Sequence, residues 1–66
     1  VPQNITYEEA VKIALDTVYG EVDDVDFEYE NGQYYYFVEI ELDDDREAEI
    51  QIHAMTGEVI SIEWDD

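Results

Sequence analysis

Val25, Phe27 and Tyr29 alternate with Asp24, Asp26, Glu28 and Glu30, and the run stops at the dipeptide Asn31-Gly32. A type I′ turn needs positive φ at both central residues, which asparagine and glycine tolerate best, so Asn-Gly after such an alternation specifies a two-residue β-hairpin. The loop length then sets the register. Glu30 faces Gln33, Tyr29 faces Tyr34, Phe27 faces Tyr36 and Val25 faces Val38, so apolar side chains meet apolar ones. A slip of one residue would set the apolar series against the acidic one. The chain is thereby restricted to folds built on an antiparallel sheet with one apolar face.

The same period continues through Ile40 and Leu42, breaks at Asp43-Asp44-Asp45, and resumes at Ala48, Ile50, Ile52 and Ala54. A loop of three or five residues keeps the apolar sets together, whereas four would turn one of them over. Met55-Thr56-Gly57 fits a three-residue loop, a type I turn closed by a left-handed glycine with a bulge. That loop pairs Ile52 with Ile60, Ile50 with Ile62 and Ala48 with Trp64, and sets His53 opposite Val59. Upstream, Thr6 and Glu9 have capping-box spacing, which predicts a helix from Tyr7. Tyr7, Ala10, Val11, Ala14, Leu15 and Val18 share its apolar face, and Gly20 is expected to end it.

The predicted fold class is α+β: one N-terminal helix packed on one face of a four-stranded antiparallel meander. It forms a single domain over 1–66 with its core at about 5–64. Tyr34, Tyr36 and Trp64 are expected in the core and Met55 at an exposed turn.

Sixty-six residues bury only about 60% of the unfolded surface, which leaves little room for a deep cleft. Without cysteine there is no disulfide framework, thiolate metal site or cysteine nucleophile. Twenty acids against Lys12 and Arg46 give a net charge of −18, which repels nucleic acid and anionic membranes. No apolar run is long enough to span a bilayer, so this segment is not expected to insert into a membrane. The chain begins Val-Pro, and it is read as a segment of a longer protein.

Alternation also predicts the outer face of the sheet. Tyr35, Phe37, His53 and Val59 cluster toward one end of it, and these are the candidate partner-binding residues. The other end is carboxylates, with Glu49 facing Glu63 and Glu41 facing Glu47 or Glu49. Opposed like charges destabilise a sheet by up to about 1 kcal/mol per pair, unless solvent and salt screen them. A basic peptide or protein partner would relieve that repulsion. So would a hard cation such as calcium, for which Glu39, Glu41, Glu47 and Glu49 are the candidate ligands.

No catalytic residue is assigned and no cofactor is expected. His53 and Ser61 share the outer face, but a nucleophile also needs an oriented base and an oxyanion hole, which an open sheet does not supply. One imidazole is too few nitrogen ligands for zinc. The Asp26 to Gly32 stretch lacks an EF-hand's glycine at its sixth position. Among acidic neighbours, His53 is expected to act as a mild pH sensor.

Ile5-Thr6-Tyr7-Glu8-Glu9-Ala10-Val11-Lys12-Ile13-Ala14-Leu15, the glycine soon after the helix, Tyr36-Phe37-Val38-Glu39-Ile40 and Thr56-Gly57-Glu58-Val59-Ile60 together resemble a PepSY domain over about residues 5 to 64. Such domains occur in propeptides of secreted thermolysin-like metalloproteases and in bacterial secreted or cell-surface proteins. The resemblance implies an extracellular or cell-surface module, not an enzyme, that regulates or inhibits a protease. An acidic cation-binding or sensor domain of a surface protein is the alternative. The family pattern commonly has aspartate where this chain has His53, a departure at an outward position beside a turn.

Overall fold

Helix formation starts where the capping box places it. Glu9 donates its backbone N–H to the Thr6 hydroxyl at 3.1 Å, and the Thr6 N–H reaches the Glu9 carboxylate at 2.8 Å. The reciprocal bonds hold the Glu9 carboxyl below its ordinary range. The computed structural model describes residues 4–65. In it α1 (Tyr7–Thr17) precedes β1 (Glu21–Glu30), β2 (Gln33–Glu41), β3 (Glu47–His53) and β4 (Val59–Asp65). The strands form one antiparallel meander in the order β1-β2-β3-β4, and the helix packs against β1, β2 and β3.

The first hairpin has the predicted register throughout, from Glu30 opposite Gln33 to Val25 opposite Val38, with Asn31 and Gly32 at φ 51° and 82°. Further along, β1 carries a bulge between Val22 and Asp24. The extra residue, Asp23, lets Val22 join the apolar face although it lies three positions from Val25. Between β2 and β3 the three-residue alternative holds: Glu41 faces Glu47, Leu42 donates to the Arg46 carbonyl at 2.9 Å, and Asp45 takes the left-handed position at φ 67°.

The last hairpin departs from expectation in an instructive way. Its loop has four residues, Ala54 to Gly57, not three, because Ala54 bonds to β2 and to the segment before the helix and does not pair with Glu58. Ala54 donates to the Tyr34 carbonyl at 2.9 Å and accepts from the Ile5 N–H at 2.6 Å, while His53 pairs with Glu58. A bulge between Gln51 and Ile52 then offsets the extra residue, so Ile50 opposite Ile62 and Ala48 opposite Trp64 are as predicted. Near the turn, however, Ile52 faces Val59 instead of Ile60. Val59 therefore packs against the core, and Ile60 is exposed.

Ala10 and Ala14 of the helix and Val18 just past its end bury against Val38, Ile40, Ala48, Ile50 and Ile52, all on the two central strands. The alanines allow close approach, and the Tyr36 hydroxyl ties the entry segment down by donating to the Ile5 carbonyl at 3.0 Å. Gly20 is not a left-handed helix cap. The helix ends at Thr17 with Val18 already extended, and Gly20 lies so close to β2 that a Cβ would sit 2.6 Å from both the Glu41 carbonyl oxygen and Ile40.

The helix is too small for the sheet. Eleven helical residues at about 1.5 Å each span roughly 16 Å, against roughly 33 Å for a ten-residue strand and about 14 Å across four strands. Side chains at the margins stay wet. Trp64, expected in the core, is 50% exposed, and the Arg46 guanidinium stacks 5.1 Å from its ring centre. Tyr34 is likewise exposed at 44%, and Tyr7 at the first turn is 56% exposed; Tyr36 is half-buried.

Candidate functional site

The outer face of the sheet is ordered in rows set by the strand registers. At the end nearest the Asn-Gly turn, Glu28, Tyr35 and His53 lie side by side, followed by Asp26, Phe37, Gln51 and Ser61. The next two rows are wholly acidic: Asp24, Glu39, Glu49 and Glu63, then Glu21, Glu41, Glu47 and Asp65. The central strands thus present an aromatic and neutral half next to an anionic half. Most of this pattern follows from period two, because β2 and β3 keep strict alternation.

Three of the four predicted partner-binding residues come together. Tyr35 and Phe37 are half-buried neighbours with ring centres 6.5 Å apart, and the His53 ring stands edge-on to Tyr35 at 5.5 Å. Val59 is not among them. The bulge described above turns it to the core side, which corrects its placement opposite His53.

His53 is held by neutral groups and not by acids. Its Nδ1 accepts the backbone N–H groups of Met55 and Thr56 at 3.2 and 3.3 Å, and Nε2 is hydrogen-bonded to the Gln33 side-chain oxygen. His53 therefore caps the turn that follows it. Aspartate, common at this position in the family pattern, can accept the same turn amides through its carboxylate. Ser61 donates to Gln51 at 3.2 Å and is not joined to His53.

Among the described residues, the anionic half contains one close grouping. Carboxylate oxygens of Asp23, Glu39 and Glu47 lie within 4.8 Å of one another. Of the predicted cation ligands, Glu39 and Glu47 are included, whereas Glu41 and Glu49 are not. Asp23 was missed because only the bulge brings it there, and the sole signal was the three-residue step from Val22 to Val25. A hydrogen bond with Glu47, partial loss of solvent and the charges of Glu47 and Asp23 push the Glu39 carboxyl up to about 7. Glu49 is also raised, first by desolvation and then by Glu63, Asp26 and Glu28.

Comparison with known proteins accords with this geometry. Residues 4–63 match the PepSY family, described as "Peptidase propeptide and YPEB domain". Two Bacillus subtilis (strain 168) proteins are each 39% identical over 62 residues, 94% of this chain. They are the uncharacterized membrane protein YkoI, of which the match covers 27%, and the uncharacterized protein YkoJ, of which it covers 36%. The crystal structure of a Clostridium difficile 630 protein described as a lipoprotein superposes with a TM-score of 0.87 at 24% identity, over 94% of this chain and 40% of that one. The chain thus spans well under half the length of these relatives. With the family match running over nearly its whole length, from residue 4 to residue 63, the chain belongs to the PepSY family.

Proposed function

We propose that this domain is a non-catalytic extracytoplasmic module that binds a protein partner across the outer face of its sheet and regulates that partner, with a secreted protease as the leading choice. The observation that carries the reading is the division of one uncovered face into an aromatic half at Tyr35 and Phe37 and an anionic half of two four-residue rows. Such a face matches a partner with apolar anchors beside a basic patch, which supplies both burial and charge complementarity. The family's description as a peptidase propeptide supports a protease. The naming of YkoI as a membrane protein supports a place outside the cytoplasm, although no helix among the described residues is long and apolar enough to cross a membrane.

The test is inhibition of secreted metalloproteases from the producing bacterium by the domain and by a Tyr35→Ala/Phe37→Ala variant. Loss of two central aromatic anchors is expected to weaken inhibition by at least about 30-fold while the amide spectrum stays folded. Unchanged inhibition by the folded variant rejects this face.

A second reading has one observation in its favour, the approach of Asp23, Glu39 and Glu47, which suits a hard cation such as calcium. Calcium that leaves the amide signals of these three residues unmoved at millimolar concentration rejects it.

A further inference from the structure

Among the described residues β1 has a single strand neighbour, β2, so its other side is a free edge. The two-residue turn closes on the hydrogen-bonded pair Glu30 and Gln33. Alternation from that pair directs the backbone N–H and C=O groups of Val25, Phe27 and Tyr29 away from β2. Edge strands are ordinarily guarded by short length, charged side chains, proline or a bulge, and the six carboxylates of β1 guard it against acidic strands but attract basic ones. Here the strand has ten residues, no lysine or proline, and its one bulge lies at Asp23, near its start. Its two faces differ sharply. On the helix side Phe27 and Tyr29 are 48% and 61% exposed and pack with Tyr34, at ring separations of 5.1 and 4.8 Å. On the outer side stand Asp24, Asp26 and Glu28.

We propose that the edge of β1 from Asp24 to Glu30 accepts an extended segment of a protein partner, with alternating basic and apolar side chains, as an added fifth strand. The free amides and carbonyls supply the ladder, and the period of two supplies the selectivity. Side chains of the added strand alternate between the two faces, so its basic residues lie beside Asp26 and Glu28 while its apolar residues cover Phe27 and Tyr29. A second copy of this chain is a poor occupant, because it would set acids against acids in a molecule of net charge −18. Asp26 and Glu28 border Phe37 and Tyr35 on the outer face, but the free ladder groups of Val25, Phe27 and Tyr29 belong to the edge alone, so protection of those amides distinguishes this site from the outer-face surface.

The experiment uses a capped synthetic peptide of alternating lysine and valine, about the length of β1, and a second peptide of the same composition arranged in blocks. The alternating peptide is expected to protect the Val25, Phe27 and Tyr29 amides from hydrogen exchange. It should bind at least about tenfold more tightly than the block peptide, and about tenfold less tightly to an Asp26→Lys/Glu28→Lys variant. A Glu8→Lys/Asp16→Lys variant makes the same change in net charge on the helix and is expected to bind normally. Equal binding of the two peptides, equal loss in both variants, or shifts centred on Glu39, Glu49 and Glu63 without protection of β1 overturns the proposal. Concentration-dependent protection of the β1 amides without peptide identifies a second copy as the occupant and overturns it too.

Discussion

Individual residues act here mainly through how closely the backbone can approach. A methyl group at position 20 would lie 2.6 Å from the Glu41 carbonyl oxygen, which is strand backbone and cannot step aside. Gly20→Ala is therefore predicted to destabilise the fold by roughly 2 to 4 kcal/mol in denaturant unfolding. Sequence pattern suggested a helix terminator at this position; the packing requirement depends on where β2 passes, which pattern does not encode. Glu39 supplies a pH signature. Its folded value of about 7 lies above the ordinary 4.5, so the folded state binds the proton more tightly. The stability linked to it is present at low pH and is lost as pH rises through about 7. Glu39→Gln is predicted to flatten the stability profile across that window and to be more stable than the parent at pH 8. A steeper or unchanged profile contradicts the assignment.

At the level of elements, signals that act within a few residues were readable. The capping box and the Asn-Gly hairpin appear where spacing put them, and Thr6→Ala is predicted to cost about 1 kcal/mol of stability by removing one bond of the cap. Both bulges escaped the sequence reading for one reason: each alters the register at one end of its strand pair only, beyond Asp24 in the first hairpin and beside the turn in the last, and leaves the rest as alternation predicts. At Asp23 the consequence is an acid drawn toward Glu39 and Glu47; at the last hairpin it is Val59 turned to the core and Ile60 turned out. Ala54 decides the second case, since it bonds to Tyr34 and Ile5 in place of Glu58 and so joins the loop. Tyr36→Phe, which frees the Ile5 carbonyl from its hydroxyl partner, is predicted to cost about 1 kcal/mol and to speed amide exchange at the start of the helix.

For the whole molecule, one short helix on a larger sheet explains the surface. Periodicity assigns a side chain to a face, but the fraction of that face a helix can cover depends on size. Hence Trp64 and Tyr34 were placed on the correct face and yet lie exposed. The charge of −18 adds a global term, with opposed pairs such as Glu49 and Glu63 on an open face. Raising salt from about 0.01 to 0.5 M is predicted to increase the melting temperature by roughly 5 to 10 °C as that repulsion is screened. A melting temperature insensitive to salt would show that the acids splay apart without cost.

The outer face was legible because strict alternation on β2 and β3 exposes Tyr35, Phe37, Gln51 and His53 together. Its proposed role is tested most directly by amide shift mapping of the labelled domain on addition of a secreted metalloprotease, the partner class proposed for it. Perturbations concentrated at Tyr35, Phe37, Gln51 and His53 and extending into Glu39 and Glu49 are the predicted result. Perturbations confined to α1 and the exposed rings of the helix side, with the outer rows silent, would contradict the account.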